Sequence, residues 1–430
     1  MALTILATGD IHIGKKSSGI KHNTEESATK YTWSRIVDYA IKSKVDILAL
    51  TGDIIDQDNR YFEAIGPLQA GFEKLKQANI SVFMVAGNHD FDVLPQLVNS
   101  ERYNNVHLLG AKGKWETKVF SKNSEQLQLV GWSFPSRHVS EDPLLKFNPA
   151  IISPNITTIG LVHGDVDTLN SKYAPISLNN FLNTSVDAWI LGHIHKPQIL
   201  RSSTPIVYYP GSPHALSAKE QGVHGPILLT VQPQRDIVIE EIPLSPVRYE
   251  TLSVDITDKN NEEEVRNAIT SRLYEDAHSK DADLENVSYL VYDVVLIGNH
   301  SNIREVEMWV KFINDYELEI STTETLVLVR KTELDIQPQV TNMEELAKES
   351  SPAGVLAKWI IALQNGESTE AAKRLLQKWG SVHSSITQAS TYQPLRTTDR
   401  FEPEQQQDKK QYILNECKRI LTELISQQEQ

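Results

Sequence analysis

The sequence contains a single cysteine, Cys417, among 430 residues. One thiol excludes a disulfide framework and a thiolate metal site, and this scarcity is typical of proteins in a reducing compartment. There is no run of about twenty apolar residues, so a membrane-spanning helix is not expected. The chain also enters an apolar, strand-like run at once, without the pattern of a signal peptide. We therefore expect a cytoplasmic protein with no membrane contact.

Basic residues are also in the minority. The chain has 42 Lys and Arg against 56 Asp and Glu, which gives a net charge of −14. Affinity for a phosphate backbone depends largely on Lys and Arg contacts, so an acidic chain is repelled by DNA unless it carries a local basic patch. Some of this acidity would be offset by bound cations. The rest suggests that any DNA contact is shared with a partner.

The length predicts two or three domains, because one hydrophobic core rarely serves 430 residues. We assign residues 1–245 to a first domain and 246–335 to a smaller α+β domain. Residues 336–353, which contain prolines and acidic side chains, have the composition of a linker. Residues 354–430 then carry three amphipathic helices, interrupted at 380–407 by a polar stretch rich in Ser, Thr and Gln.

Five short apolar runs in the first domain end in polar side chains. Runs of this length are typical of strands buried on both faces of an α/β sheet. Because such sheets place their chemistry at the carboxyl ends of the strands, these side chains are expected to meet at one edge. The polar residues at the five ends are Asp10, His12, Asp53, Asn88, His163, His193 and His195.

Oxygen and imidazole donors without thiolate suit Mn, Fe or Zn. One ion takes about four to six donors, so the surplus indicates two ions. A pair about 3.5–4 Å apart activates water and stabilises a displacement at phosphorus. Asp53 is the natural bridging carboxylate between them. A single Asp after a strand is usually a turn former, and a single His is usually structural, but their recurrence at five strand ends favours metal binding.

These residues stand in motifs that resemble those of the calcineurin-like metallophosphoesterases, in the same order. The motifs are Asp10-x-His12, Gly52-Asp53-x-x-Asp56, Gly87-Asn88-His89-Asp90, His163 and Gly192-His193-x-His195. The resemblance implies a two-sheet sandwich flanked by helices. It assigns Asp10, His12 and His195 to one ion, and Asn88, His163 and His193 to the other, with Asp53 bridging.

The resemblance gives His89 a catalytic role beside the metals, where it stabilises the phosphorus centre or protonates the leaving oxygen, and it makes Asp56 the residue that orients His89. This agrees with the chemistry, because histidine is the commonest general acid near neutral pH. We interpret Asp90 as a cap for the following helix.

Three basic residues are candidates for substrate contact. Lys15 and Lys16 begin a loop, 15–22, that leaves the first predicted strand end and could reach phosphates or be merely solvated. Arg137 lies in a predicted loop beside His138. Two strands predicted at 226–232 and 236–242 would complete a second sheet packed against the first.

The later part of the chain resembles the nuclease branch of this family, the SbcD-type subunits. Tyr208-x-Pro-Gly211-Ser212 is similar to the segment after their last motif, and the branch then has a small capping domain that restricts access of DNA ends. Its C-terminal helices bind an SMC-like ATPase, and its members dimerise. The three helices here show no obvious core of their own and are expected to bind such a partner, or alternatively to pack back or dimerise.

We therefore expect a DNA exonuclease, with endonuclease activity as a further option, that uses two Mn²⁺ ions in break processing or phage defence. The alternative is a phosphodiesterase or phosphatase for nucleotides or small phosphoesters, which the five motifs fit equally well. A third option is a structural subunit without activity, although every ligand position is filled.

Overall fold

Two six-stranded sheets make up the first part of the chain in the computed structural model. The first has the order β12-β11-β1-β2-β3-β4, in which β1 to β4 are parallel, β11 is antiparallel to β1, and β12 is antiparallel to β11. Its strands are β1 (Leu3–Thr8), β2 (Ile47–Leu50), β3 (Ser81–Met84), β4 (Val106–Leu108), β11 (Ile227–Val231) and β12 (Ile237–Glu241).

The second sheet has the order β5-β6-β7-β8-β10-β9, with a parallel centre and antiparallel edges. Its strands are β5 (Glu116–Lys122), β6 (Glu125–Trp132), β7 (Thr157–His163), β8 (Ala188–Gly192), β9 (Gln198–Arg201) and β10 (Ile206–Tyr209). The predicted hairpin at the end of this domain forms as β11 and β12, but our expectation of its sheet was wrong. Strand β11 pairs with β1 in the first sheet, because β1 would otherwise be an exposed edge.

The inner faces of the two sheets share one hydrophobic core. Ile5 and Ala49 from the first sheet pack with Leu129, Leu161 and Ile190 from the second. The outer face of the first sheet is covered by α1 (Thr29–Lys42) and α2 (Ile65–Gln77), through residues such as Trp33 and Phe72. The predicted sandwich flanked by helices is confirmed, and it is an α/β fold because βαβ crossovers bury both faces of the parallel strands.

A third sheet of four strands has the order β13-β14-β16-β15. The chain forms two compact units, and the boundaries between them fall within strands of this sheet. One unit contains residues 1–251, 276–293 and 317–330, and the other contains residues 252–275, 294–316 and 331–430. The strands and helices here are β13 (Val247–Asp255), α4 (Glu262–Ser279), β14 (Tyr289–His300), α5 (Ile303–Val310), β15 (Glu317–Ile320) and β16 (Thr325–Pro338).

The C-terminal helices have a core of their own, contrary to our expectation. Leu356 and Ile360 pack with Ile413, Cys417 and Leu421 in one buried cluster. Because the apolar stripes of the first and last helix are far apart in sequence, only the folded chain brings them together. The elements are α6 (Met343–Leu346), α7 (Pro352–Gln364), α8 (Glu370–Gln388) and α9 (Gln406–Gln428), besides the short helix α3 (Leu94–Val98) in the first domain.

The structure describes only parts of the predicted linker and of the predicted polar stretch. Residues 336–338 of the predicted linker end β16, residues 339–342 lie outside the described residues, and α6 follows; the domain boundaries remain predictions. Residues 380–388 of the predicted polar stretch continue α8, and 389–405 lie outside the described residues. Across the described residues, every helix is too short or too polar to cross a bilayer. The structure describes residues 2–20, 24–56, 63–98, 103–232, 235–300, 302–311, 317–320, 325–338, 343–366, 370–388 and 406–428.

Candidate metal centre

Both sheets deliver polar side chains to one common edge, at the carboxyl ends of their central strands. Asp10 and His12 follow β1, Asp53 follows β2, and Asn88 follows β3. From the second sheet come His163 at the end of β7, and His193 and His195 directly after β8. All seven belong to the same compact unit. The edge is therefore built from two sheets rather than one.

The backbone at this edge is held in an unusual conformation. Asp10, His12 and Asp53 each have φ of 50°, and His193 has φ of 100°. The left-handed region costs non-glycine residues free energy and is concentrated at functional sites, where the surrounding structure compensates for it. Four of the seven predicted ligands thus sit on strained turns.

Asp10, His12 and His195 form the first group of possible metal donors, with one ligand atom from each within 4.8 Å of the others. The two imidazoles approach most closely, with 3.1 Å between His12 Nε2 and His195 Nε2. Both carboxylate oxygens of Asp10 accept a hydrogen bond from the backbone N–H of His193, at 3.0 and 2.9 Å. This bond ties β1 to the end of β8, and so joins the two sheets at the site.

The second group consists of Asp53, His163 and His193, again within 4.8 Å of one another. Asn88 belongs with it, because its Oδ1 lies 3.1 Å from His163 Nε2. Asp53 Oδ2 is 3.5 Å from His163 Nε2 and 4.0 Å from His12 Nε2. Asp53 therefore faces both groups, which is the position that a bridging carboxylate requires.

The donor chemistry at this edge fits a cation. His163 Nδ1 lies 3.0 Å from the carbonyl oxygen of Thr51, and a carbonyl only accepts, so Nδ1 carries the proton. The neutral ring then presents a lone pair at Nε2 to two further acceptors, the oxygens of Asn88 and Asp53. Three buried acceptors facing one another repel unless a positive charge lies among them. A divalent ion meets that requirement.

The pKa values follow from burial and crowding of charge. Burial lowers the pKa of His163 to about 4 and lowers that of His12, which favours neutral, ligating imidazoles. Burial raises the pKa of Asp10 to about 7, against the effect of His195. Burial alone raises the pKa of Asp53, but the neighbouring histidines, His163 foremost, outweigh it and bring the pKa below its ordinary value.

His89 lies beside the donors. Its Nε2 is 4.0 Å from Asp53 Oδ2, its Nδ1 is 3.9 Å from Asp56 Oδ1, and its side chain is 28% exposed. Asp56 also lies 2.9 Å from Lys15 Nζ. His12, Asp56 and His89 approach closely enough to form a further metal group, but the ammonium of Lys15 already neutralises Asp56. This arrangement therefore suits proton transfer and hydrogen bonding better than a third ion.

Asp90 corrects one of our predictions, because its side chain does not cap the following helix. Its Oδ1 accepts from the backbone N–H of Gly87 at 2.8 Å, and its Oδ2 accepts from Ile54 at 2.6 Å and from Ile55 at 3.3 Å. Burial raises the pKa of Asp90 to about 8. Asp90 thus binds the loop that carries Asp53 to the loop that carries Asn88. Gly87 permits this approach, since a Cβ there would lie 2.2 Å from Asp53 Oδ1.

The structure separates the three basic candidates. Lys15 lies at the site through its ion pair with Asp56, with its side chain 37% exposed. Lys16 lines a separate open pocket of about 400 Å³ together with Thr24, Glu25 and Lys30. Arg137 is exposed, in the loop after β6. Residues 21 and 22 of the predicted basic loop lie outside the described residues.

Two carboxylates at the site were missed by the sequence analysis. Asp165 Oδ1 lies 3.5 Å from His193 Nε2, and Glu220 Oε1 lies 2.8 Å from His195 Nδ1. Burial alone lowers the pKa values of both imidazoles, but Asp165 and Glu220 are the leading causes that raise them above the ordinary value. Asp165 could have been noticed because it follows His163 by two residues. Glu220 carries no local signal, since it lies 25 residues after His195.

Comparison with known proteins finds one family model that matches the first part of the chain. Residues 3–197 match the model of the calcineurin-like phosphoesterases. The uncharacterized metallophosphoesterase YhaO of Bacillus subtilis is 30% identical over 267 residues, which are 60% of this chain and 64% of that protein. The DNA double-strand break repair protein Mre11 of Methanocaldococcus jannaschii is 23% identical over 220 residues, or 49% of this chain and 56% of that protein.

Among solved structures, the calcineurin-like phosphoesterase YfkN of Bacillus subtilis covers 65% of this chain and 98% of its own, with 14% identity and a TM-score of 0.37. The chain spans less than two thirds of the length of YhaO and of this Mre11. Residues 3–197, which contain both donor groups, match the calcineurin-like phosphoesterase family model.

Proposed function

We propose that this protein is a two-metal phosphodiesterase that hydrolyses DNA, with Mn²⁺ as its working ion. The observation that carries the proposal is Asp53, which faces Asp10, His12 and His195 on one side and Asn88, His163 and His193 on the other. Two cations held there would supply the Lewis acidity that activates water and neutralises the phosphate oxygens. The side chains of this chain then position the phosphodiester and move protons.

His89 is the group that we assign to the leaving oxygen. It is partly exposed beside Asp53 and outside both donor groups, so it can reach a substrate without displacing a ligand. Its Nδ1 faces Asp56, which would hold the ring with Nε2 directed to the substrate. Protonation of the leaving alkoxide by a positioned imidazole accelerates such reactions by about 100- to 10,000-fold.

The choice of DNA rests on a relative and on the chain after residue 245. The Mre11 match is named for DNA double-strand break repair. An enzyme that acts on small phosphoesters would not need the additional sheet that follows residue 245. Within one compact unit, strands of the third sheet contact the loop that follows Asp10 and His12. Tyr249 Oη donates to the carbonyl oxygen of Ser18, and Tyr289 Oη donates to Thr24 Oγ1 at 2.9 Å. These contacts would fix the loop against a long substrate and restrict access to DNA ends.

We also propose a partner and a dimer. Because the net charge is −14, this chain would need a partner that contributes to DNA binding. An SMC-like ATPase bound to helices α7 to α9 would be that partner. Val355, Tyr412 and Ile420 on these helices are large apolar side chains that remain exposed. Self-association through the first domain would place two sites near one broken end, in break processing or phage defence.

The second candidate is a phosphodiesterase or phosphatase for nucleotides and small phosphoesters. The acidic charge favours it, because a small substrate needs no extended basic surface. The metal centre suits it equally well, since the chemistry at phosphorus is the same.

One comparison separates the two. The full chain is assayed in Mn²⁺ on linear duplex DNA, closed circular DNA, bis-p-nitrophenyl phosphate and cyclic nucleotides, alone and with a co-expressed neighbouring ATPase. We expect degradation of linear duplex DNA, and cleavage of the circle if the enzyme is also an endonuclease. Asp53→Asn should abolish every activity. Turnover of cyclic nucleotides with no cleavage of either DNA would support the small-substrate candidate instead.

A further inference from the structure

The imidazole donors differ in what lies behind their outer nitrogen. Asp56, 3.7 Å from His12 Nδ1, is shared with Lys15 and His89. His163 is held by a backbone carbonyl, that of Thr51. His193 and His195 are each held by a carboxylate, Asp165 and Glu220 respectively. Since these two imidazoles belong to different donor groups, Glu220 lies behind a ligand of one predicted ion and Asp165 behind a ligand of the other.

We infer that Glu220 and Asp165 are positioning residues that set the affinity of the two metal ions separately. The inference rests on the proposed two-metal function and deepens it. Glu220 acts on the ion held by Asp10, His12 and His195. Asp165 acts on the ion held by Asp53, Asn88, His163 and His193.

The geometry fixes opposite tautomers in the two rings. Glu220 faces Nδ1 of His195, so that nitrogen carries the proton and Nε2 presents its lone pair, 3.1 Å from His12 Nε2. Asp165 faces Nε2 of His193, which leaves Nδ1 as the ligating nitrogen. An ionised carboxylate accepts only, so neither ring can turn without losing this bond. Such outer partners orient a ligand and raise its basicity.

Hydrogen bonds from neighbouring residues hold both carboxylates in place, which indicates that their contacts with the imidazoles are not accidental. Glu220 Oε2 accepts from the backbone N–H of Leu216 at 2.6 Å, in a turn closed by the bond from Glu220 N to the carbonyl of Ser217 at 2.9 Å. Asp165 accepts from the hydroxyl of Ser171, and its own N–H donates to the carbonyl of Tyr173 at 2.9 Å. The two side chains are only 14% and 10% exposed.

The test is a titration of the metal-stripped full chain with Mn²⁺ by calorimetry. Wild type should bind two ions. Glu220→Gln should weaken one binding step by about 10- to 100-fold and leave the other unchanged. Asp165→Asn should weaken the other step, and the double variant should weaken both. Glu141→Gln and Asp38→Asn are matched controls, because these carboxylates are 72% and 59% exposed.

A second measurement separates positioning from a general structural role. The imidazole ¹⁵N resonances of the metal-free protein should show one tautomer of His195 in wild type and a mixture in Glu220→Gln, with unchanged thermal unfolding. Both steps unchanged in the two variants, or the same step weakened in both, would overturn the inference while leaving the phosphodiesterase intact. A wild-type chain that binds no Mn²⁺ would overturn the proposed function and the inference with it.

Discussion

The ammonium of Lys15 lies 2.9 Å from Asp56 Oδ1, the same oxygen that faces Nδ1 of His89 at 3.9 Å. Lys15 was predicted to contact substrate, and Asp56 was predicted to orient His89. The ion pair links the two roles. We expect a phosphate in the site to compete with Asp56 for Lys15, which would leave the carboxylate available to the imidazole.

Replacing Asp56 by asparagine should therefore lower kcat, because His89 loses the anion that holds its ring. We expect a loss of roughly tenfold or more, measured by steady-state kinetics on bis-p-nitrophenyl phosphate at saturating Mn²⁺, because Asp56 Oδ1 also lies 3.7 Å from Nδ1 of the predicted ligand His12. Lys15→Met is the comparison, and it should act mainly on KM. Equal kcat losses in both variants would mean that Asp56 serves only to hold Lys15.

His89→Ala should keep both metal ions and lose cleavage. The expected loss in kcat is about 100- to 10,000-fold, which is the range for a general acid. Metal content by elemental analysis and hydrolysis of linear DNA are measured on the same sample. His138→Ala is the matched control, since His138 is exposed and lies outside the donor groups. An active His89→Ala enzyme would contradict the assignment.

Asp90→Asn should destabilise the site without removing a ligand. An amide in this position places an N–H₂ group against a backbone donor, either Gly87 or Ile54. One buried donor is then left without an acceptor, which costs roughly 1–3 kcal/mol in the free energy of unfolding. Urea denaturation of the metal-free chain measures it, with Asp38→Asn as an exposed control. An unchanged midpoint would show that the two loops do not depend on Asp90.

Chelation should lower the thermal stability of the wild-type chain. The buried lone pairs of His163, Asn88 and Asp53 face one another, so a bound ion relieves their repulsion only in the folded state. An ion at about 100 times its Kd stabilises by about 2.7 kcal/mol. The melting temperature is compared in EDTA and in Mn²⁺. Asp53→Asn should show a smaller difference, and a wild-type chain insensitive to EDTA would contradict the metal centre.

The pH dependence of stability should depend in part on His214. This side chain is buried between Ser17 Oγ at 2.8 Å and Thr32 Oγ1 at 2.7 Å, and burial lowers its pKa to about 4. The folded state therefore keeps His214 neutral, while the unfolded chain takes up a proton below a pKa of about 6.5. Stability is full above that pH and falls as the pH drops towards 4, by about 3 kcal/mol in total.

His214→Gln should remove this part of the dependence. Its unfolding free energy, measured in urea and in EDTA between pH 7 and 4, should fall less steeply than that of wild type. His138→Gln should follow the wild-type curve, because His138 is exposed. Parallel curves for His214→Gln and wild type would contradict the argument.

The sequence by itself determined which residues meet at the site. Short apolar runs that end in Asp10, Asp53 or His163 can be recognised locally, because consecutive residues predict both a buried strand and the point where it ends. Alignment of parallel strands then brings their carboxyl ends to one edge. This reasoning predicts that the donors gather at one edge. The sandwich, the division of the donors into two groups and the place of His89 came from the resemblance to the calcineurin-like metallophosphoesterases.

The tertiary structure decided what depends on distant segments. Glu220 reaches His195 from a turn 25 residues away, Asp90 binds a loop 36 residues before it, and β11 pairs with β1 across most of the domain. The left-handed backbone of Asp10 and Asp53 is likewise imposed by the packed loops and not by the residue types. Hydrogen bonds of this kind form between groups with no pattern in common, so only the folded chain reveals them.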